Sequence, residues 1–211
     1  MKVQSARAAV WLTDGDAAGA ASLSRFHGWL GPDELARHQR FVRGQRRRQF
    51  VVGRGLLRMA LGRALNVAPQ SICLEERPGM APRLLFPQLP AAAGVGFSIS
   101  HSGRWVACAV STQTALGLDI EMRDASRDIG ALAAQAFDAL EMSGWERLQS
   151  LPEAQRVDGF YRLWSEKEAR FKLGPPAGAH CIVLPHAELS VVLCSATPLL
   201  AVPRLELVEL D

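Results

Sequence analysis

The chain has 211 residues, of which 48% are apolar and 21% charged, so it can bury a core and is not a disordered chain. The net charge of +3 is too small for the whole molecule to bind polyanions generally. Charge is nevertheless uneven, because no acidic residue lies between Glu34 and Glu75, where nine arginines occur. That segment predicts a local basic surface for a phosphate-bearing or acidic partner. The nine are Arg37, Arg40, Arg43, Arg46, Arg47, Arg48, Arg54, Arg58 and Arg63.

The four cysteines, Cys73, Cys108, Cys181 and Cys194, are widely spaced and form no C-x-x-C pair. This spacing predicts neither a disulfide framework nor a zinc site, and it favours a reducing cytoplasm. No apolar run is long enough for a signal peptide or for a membrane span. We therefore expect a cytoplasmic protein with no membrane contact.

The first half of the chain predicts a strand at 8–12 and two helices, at 32–43 and 45–65. Proline and glycine between 78 and 90 predict loops and turns. Apolar residues then alternate with small ones over 95–100, which is typical of a strand. A turn at His101-Ser102-Gly103 and a second strand at 105–110 complete a predicted hairpin.

The second half begins with alternation over 116–122, which predicts another strand. Helical spacing starts at Ile129 and continues to about Leu140. A further helix is predicted at 158–173, followed by short strands at 181–184, 189–193 and 204–210. Strands and helices mix without regular βαβ alternation, so the predicted fold class is α+β.

Two carboxylates, Asp119 and Glu121, lie at i and i+2 of the predicted strand 116–122 and share one face. Side by side they repel, and each resists ionising unless a cation lies between them. Oxygen ligands in partial number suit Mg²⁺, which takes water and phosphate oxygens for its other positions. The ordinary interpretation of a single D-x-E pair is a solvated strand edge.

The helix at 158–173 places Trp164, Glu168 and Lys172 at i, i+4 and i+8, along one side. The tryptophan would anchor the helix, and the carboxylate and ammonium groups would face one cavity. Taken alone, Glu168 and Lys172 are equally consistent with a modest surface pair. We interpret Glu166 and Arg170, on the neighbouring face, as only that.

His101 follows a strand and lies between Ser100 and Ser102. A turn histidine bonded to backbone is the simpler interpretation. A strand-end histidine near hydroxyls and arginines also suits a phosphate contact, made best by the protonated imidazole. Such a contact would weaken as the pH rises past about 7.

Four stretches together resemble the Sfp-type 4'-phosphopantetheinyl transferase family over roughly residues 33–174. They are GRGLLRMAL (53–61), FSISHSGRWVACAV (97–110), LGLDIE (116–121) and FYRLWSEKEARFK (160–172). The resemblance implies a pseudo-dimer of two similar α/β halves related by approximate two-fold symmetry. Residues 1–112 would carry the arginine-rich helices and the I-S-H-S hairpin, and 113–211 the carboxylates. Coenzyme A would bind between the halves.

The resemblance also assigns roles by motif position. It implies that Asp119, Glu121 and Glu168 bind Mg²⁺, that Glu168 deprotonates the incoming serine, and that Lys172 stabilises the departing phosphate. Glu141 falls where the family often has a further acidic residue near the metal. The implied coenzyme A contacts are Arg47, Arg54, Ser100, His101, Lys167 and Lys172, with Ser100 and His101 on the 3'-phosphate. Ala81 stands before Pro82, where many members carry a basic residue that helps to bind coenzyme A.

The activity implied is that of a holo-acyl-carrier-protein synthase. A serine of an apo carrier protein attacks the β-phosphorus of coenzyme A, and 3',5'-adenosine bisphosphate leaves. The partners would be acidic carriers of fatty-acid, polyketide or nonribosomal-peptide synthesis, and the enzyme is expected to act as a monomer.

Two other functions use some of the same residues. A different Mg²⁺-dependent phosphoryl enzyme, such as a nucleotide hydrolase, would also need acidic ligands, but the chain has no G-x-x-x-x-G-K-[ST] loop. A nucleic-acid-binding module could use the arginines of 37–63, but the chain carries no nucleic-acid reader motif, and we expect no nucleic acid partner.

Overall fold

The computed structural model describes residues 5–77, 81–90, 94–174 and 178–211. The proline-rich loops predicted around 78–80 and 175–177 therefore lie partly outside the described residues. Strands and helices are mixed as the sequence predicts, which confirms the α+β class. In chain order the elements are β1 (Ala9–Asp14), α1 (Ala20–Gly28), α2 (Pro32–Arg40), α3 (Gly44–Leu65), β2 (Cys73–Glu75), β3 (Arg83–Phe86), β4 (Gly96–Ser102), β5 (Trp105–Ser111), β6 (Leu116–Met122), α4 (Ile129–Ala136), α5 (Ala139–Leu148), α6 (Glu153–Leu173), β7 (His180–Val183), β8 (Leu189–Ser195) and β9 (Leu205–Leu207).

A four-stranded sheet in the order β4-β5-β1-β9 forms the N-terminal region. β1 runs antiparallel to β5 and parallel to β9, which returns from the end of the chain. Helix α3 covers one face, where its buried Leu56, Leu57 and Leu61 pack against Trp11 and Cys108. Together this sheet and helix hold β4 in place at the edge of the sheet.

A three-stranded antiparallel sheet in the order β6-β8-β7 forms the C-terminal region, with α6 packed on it. Its other face shares one apolar core with the first sheet, in which Leu118 and Ile120 meet Val10 and Leu12. The two sheets are therefore held together by apolar burial, the main driving force of folding. No helix within the described residues has the length and apolar character that a membrane crossing requires.

Several predicted boundaries were wrong. Helix α1 lies where none was predicted, and the region 78–90 predicted as loop contributes β3, which pairs with β2. The helix predicted from 129 to 140 breaks in two because the side chain of Asp138 caps α5 by accepting from the backbone N–H groups of Leu140 and Glu141. β4 extends to Ser102, so His101 lies within a strand opposite Val106 and not in a turn.

The prediction of no disulfide is also wrong. Cys181 on β7 and Cys194 on β8 are directly opposite each other and form a disulfide. No C-x-x-C spacing revealed this pair, because the two strands bring together residues that are 13 apart in sequence. Cys73 and Cys108 are free, the first exposed and the second buried.

Part of the basic segment is neutralised inside the protein. Arg58, 1% exposed, and Arg54, 6% exposed, both reach Glu34, which is fully buried on α2. Arg54 and Arg37 also pair with Glu76, just after β2. Buried charges persist only when paired, so Arg54 and Arg58 hold α2 and the residue after β2 to α3 rather than form a free surface, whereas Arg37 is partly exposed.

Candidate active site

The edges of the two sheets meet along a serine seam, which we define as Ser98, Ser100 and Ser102 of β4 facing the backbone of β6. Each serine hydroxyl accepts a hydrogen bond from a backbone N–H group of β6. The distances are 3.0 Å from Leu118 to Ser98, 3.2 Å from Ile120 to Ser100 and 3.0 Å from Met122 to Ser102. The I-S-H-S motif thus supplies side chains that replace a backbone ladder between two sheets.

Asp119 lies on β6 at the centre of this seam and is 3% exposed. Its Oδ1 accepts from the hydroxyl of Ser100 at 3.0 Å and from Nζ of Lys172 at 2.8 Å. Its Oδ2 is buried and meets no hydrogen-bond donor within the described residues. A buried anionic oxygen without a donor is costly, so Oδ2 is a position where a cation would be favourable.

Glu121 shares the face of Asp119, as the strand alternation predicts. Its Oε2 accepts from the hydroxyl of Ser102 at 2.7 Å. Burial raises the pKa of Glu121, the nearby charge of Asp119 raises it further, and the Ser102 hydrogen bond opposes both. A cation beside the pair would relieve this penalty on the ionised form.

Helix α6 crosses β6 closely because residue 117 is a glycine. A Cβ at Gly117 would overlap the carbonyl oxygen of Ala169 and lie 2.6 Å from the backbone nitrogen of Leu173. At the other end, the Tyr161 hydroxyl donates to the carbonyl of Asp124 at 3.2 Å. The helix therefore runs antiparallel to β6.

The antiparallel path of α6 explains the positions of three residues that share one side of this helix, namely Trp164, Glu168 and Lys172. Trp164 packs against Phe137 and Phe160, which anchors the helix as expected. Lys172 reaches the seam, and its Nζ also donates to the carbonyl of Leu118 at 3.1 Å. Glu168, half-buried one turn before Lys172, lies on the same side of the helix as Lys172.

The predicted metal ligands are not assembled as a closed cluster. Within the described residues no group of three or more His, Cys, Asp or Glu side chains could by itself hold a metal ion. The structure brings Asp119 and Glu121 onto one face, with Lys172 as the partner of Asp119. Their donor set, carboxylate oxygens with one orphaned oxygen at Asp119, still suits a hard cation such as Mg²⁺.

A cavity of about 690 Å³ opens beside the seam, between α3, β4 and the end of α6. Its apolar walls come from Phe41, Phe50 and Phe97, together with Phe171, which is 78% exposed. Its charged lining within the described residues is entirely basic. The basic lining residues are Arg37, Arg46, Arg54, Arg77, His101 and Lys172.

Arg46 and His101 form the basic centre of this cavity. Nη1 of Arg46 lies 2.6 Å from Nε2 of His101 and donates to Oε1 of Gln49 at 3.1 Å. Neither of these partners is a carboxylate, so the positive charge of Arg46 is directed at the cavity. Guanidinium groups with free N–H donors suit phosphate oxygens.

The predicted coenzyme contacts separate into two groups. Arg54, His101 and Lys172 line the cavity, although Arg54 is held by Glu34 and Glu76. The other three, Arg47, Ser100 and Lys167, do not line it.

Each of those three side chains already has partners inside the protein. Arg47 donates from Nε to the carbonyl of Phe41 at 2.6 Å, and Ser100 belongs to the seam. Lys167 pairs with Glu141 at 2.6 Å. Glu141 also closes the capping box of α5 by accepting from the backbone of Asp138.

Sequence reasoning missed Arg46 and Arg77 as cavity residues. Arg46, Gln49 and Gly53 lie at i, i+3 and i+7 of α3, a helical face that could have been recognised. Arg77 donates to the carbonyl of Ala81 at 2.7 Å, so a basic group reaches this loop although residue 81 itself is an alanine. The interpretation of Glu166 and Arg170 as an exposed i, i+4 pair is confirmed at 2.8 Å.

Without a bound anion, His101 is not the protonated imidazole that would make the best phosphate contact. Burial and the adjacent Arg46 charge lower its pKa to about 4. The imidazole is therefore neutral at pH 7 and offers one N–H donor.

A basic cavity beside a carboxylate pair is suited to a class of protein that binds a phosphorylated ligand together with a hard cation. A family profile described as 4'-phosphopantetheinyl transferase, N-terminal, matches residues 19–113. The chain is 33% identical to 4'-phosphopantetheinyl transferase HetI of Nostoc sp. over 181 residues, which cover 86% of this chain and 73% of HetI.

Two further relatives agree. The chain is 30% identical over 148 residues to 4'-phosphopantetheinyl transferase Sfp of Bacillus subtilis, covering 70% of this chain and 61% of Sfp. It is 29% identical over 174 residues to 4'-phosphopantetheinyl transferase AcpT of Salmonella typhimurium, covering 76% of this chain and 83% of AcpT. The chain belongs to the 4'-phosphopantetheinyl transferase family, whose activity activates carrier proteins.

The lowered pKa of His101 makes a prediction about stability. The unfolded chain takes up this proton near pH 6.5, and the folded chain near pH 4. The stability that neutral His101 contributes is therefore fully present above about pH 6.5 and is lost as the pH falls through 4. Urea unfolding between pH 7 and pH 4 should show a steeper loss for wild type than for His101→Gln. Parallel profiles would contradict the shift.

Proposed function

We propose that the chain carries out its family's reaction with coenzyme A in the basic cavity and Mg²⁺ at Asp119 and Glu121. The observation that carries this proposal is the juxtaposition of the two sites through Lys172. Its Nζ binds Asp119 Oδ1 at 2.8 Å, and the same side chain lines the cavity. A phosphate placed beside Lys172 would therefore be next to the carboxylates.

The cavity charges support an assignment of the phosphate groups. Coenzyme A carries a 3'-phosphate and a pyrophosphate, which need separate basic contacts. His101 and Arg46 would hold the 3'-phosphate, and Lys172 would contact the pyrophosphate. Arg77 is a further donor at the cavity wall. The aromatic side chains Phe41 and Phe50 offer surfaces for the adenine ring.

The carboxylates support the metal proposal. Asp119 would ligate through Oδ2, its orphaned oxygen, and Glu121 through the oxygen that Ser102 leaves free. Glu168 stays the predicted third ligand, because it lies on the same side of α6 as Lys172. A bound Mg²⁺ would neutralise the charge that gathers on the pyrophosphate oxygens in the reaction.

The chain's own residues would then act on the two ends of the reacting bond. Glu168 would accept the proton of the carrier serine, directly or through water, as its oxygen attacks the β-phosphorus. The bond from that phosphorus to the bridging oxygen breaks, and 3',5'-adenosine bisphosphate leaves. Lys172 would stabilise the negative charge on the leaving oxygen. The holo carrier is the other product.

The two sheets support the proposed division into halves in part, since β1, β4 and β5 come from residues 1–112 and β6, β7 and β8 from residues 113–211, whereas β9 crosses over to pair with β1. The boundary would lie between β5 and β6, near residues 111–115, with the cavity between the halves. Approximate two-fold symmetry between them is part of this proposal. We further propose that the enzyme acts as a monomer.

The arginine corner, residues 40–47 between α2 and α3, is the proposed docking surface for an acidic carrier protein. Arg40, Arg43 and Arg47 are exposed and form no ion pair within the described residues. Val42 is 93% exposed among them, so the corner combines an apolar contact with positive charge. This combination suits an acidic helical partner with an apolar patch, because opposite charges steer the encounter.

The direct test of the function is transfer to an apo carrier, measured by mass spectrometry as a pantetheine adduct with coenzyme A and Mg²⁺. Wild type should modify at least one of several acyl and peptidyl carriers. Asp119→Asn should abolish transfer without unfolding the protein. The exposed Asp16→Asn variant, with the same loss of charge, should keep it. Full activity of the Asp119 variant would remove the ligand assignment.

The proposed 3'-phosphate contact predicts a substrate-dependent effect. His101→Ala should lower kcat/KM for coenzyme A roughly 10- to 150-fold, since a hydrogen bond to a charged group contributes roughly 1.5–3 kcal/mol. Dephospho-coenzyme A, which lacks the 3'-phosphate, should be almost unaffected. Equal losses for both substrates would mean that His101 acts only through the structure of β4.

The arginine corner predicts that the KM for the carrier rises with salt, because exposed charges are screened beyond about 8–10 Å. The double variant Arg40→Gln, Arg43→Gln should raise this KM at low salt and flatten its salt dependence, while the KM for coenzyme A changes little. Arg204→Gln, an exposed arginine outside the corner, is the control. A carrier KM that is independent of salt in wild type would point to apolar docking elsewhere.

A further inference from the structure

We propose that Ser100 and Ser102 are positioning residues for the metal site. Their hydroxyl groups, which come from the opposite half of the protein, donate hydrogen bonds to Asp119 and Glu121 and so orient the two carboxylates. This inference rests on the proposed Mg²⁺ site. It gives the two serines the role of orienting the carboxylates. Ser100 then does not contact the 3'-phosphate, although the family resemblance implies that contact.

The direction of the Ser102 hydrogen bond follows from counting donors and acceptors. A serine hydroxyl has one proton to donate and two lone pairs to accept with. Ser102 accepts from the backbone N–H of Met122 at 3.0 Å, and a carboxylate cannot donate to it. Its proton therefore goes to Oε2 of Glu121, 2.7 Å away. The other oxygen of Glu121 is left to face the site.

The same count of donors and acceptors shows that every hydrogen-bonding position of the Ser100 hydroxyl is used. Its oxygen accepts from the backbone N–H of Ile120 at 3.2 Å and from Nζ of Lys172 at 3.0 Å, which uses both lone pairs. The remaining proton can only be donated to Oδ1 of Asp119, at 3.0 Å. No lone pair or proton of Ser100 remains for a phosphate, and the residue is 5% exposed. Oδ1 of Asp119 is therefore already occupied by hydrogen bonds, and Oδ2 is the oxygen that remains for the proposed cation.

Ser98 provides an internal comparison. It accepts from the backbone N–H of Leu118 at 3.0 Å and is part of the same seam. The β6 residue on the carboxylate face at its level is Gly117, which has no side chain to orient. Ser98 thus shares the structural role of the seam and lacks the positioning role, so the two can be separated by experiment.

The test measures Mn²⁺ binding to the full chain by electron paramagnetic resonance, without coenzyme A or carrier. Ser102→Ala should weaken Mn²⁺ affinity roughly 10- to 100-fold, the range typical when a partner that orients a metal ligand is removed. Ser102→Thr, which keeps the hydroxyl, should restore most of the affinity. Ser98→Ala should lower the Tm by a similar amount to Ser102→Ala and leave Mn²⁺ affinity within about twofold of wild type.

The outcomes distinguish this inference from the proposed function. Unchanged Mn²⁺ affinity in Ser102→Ala, or an equal loss in Ser98→Ala, would show that the hydroxyls only hold the seam, and the inference would fail while the metal site stands. If wild type and Asp119→Asn bind Mn²⁺ equally weakly, the proposed metal site fails, and the inference fails with it.

Discussion

The hydrogen bonds between the serines of β4 and the backbone of β6 are the contact on which the site depends. They join the edges of two sheets through side chains, so that both sheets contribute residues to the same site. Because Ser100 and Ser102 also donate to Asp119 and Glu121, a shift of β4 relative to β6 would change the orientation of both carboxylates. Relative position and chemistry are therefore coupled.

The charged side chains around the seam have different roles. Glu34 and Glu76 neutralise Arg54 and Arg58 inside the protein, which makes these arginines structural. Arg46 lines the cavity and has no carboxylate partner within the described residues, and the arginines of the arginine corner are exposed to solvent. Lys172 reaches both Asp119 and the cavity, and this contact links metal binding to phosphate binding in the proposed reaction.

The sequence predicted most of the elements and the D-x-E face, because strand alternation and helical spacing are local properties. It also identified His101 and Lys172, which line the cavity. The roles of Ser100, Lys167 and Arg54 could not be read from local patterns, because their partners Asp119, Glu141 and Glu34 are distant in the chain. The pairing of Cys181 with Cys194 was hidden for the same reason. Gly117 carried an unread signal: its missing side chain allows α6 to contact β6, which brings Lys172 to Asp119.

The central claim is that one cavity holds coenzyme A with its pyrophosphate at the carboxylate pair and its 3'-phosphate at His101 and Arg46. Phosphorus NMR of the protein–coenzyme A complex, titrated with paramagnetic Mn²⁺ in the absence of carrier, tests this directly. The account predicts that the two pyrophosphate resonances broaden at lower Mn²⁺ than the 3'-phosphate resonance, and that Asp119→Asn removes the difference. Equal broadening of all three resonances, or a difference that persists in Asp119→Asn, would contradict it.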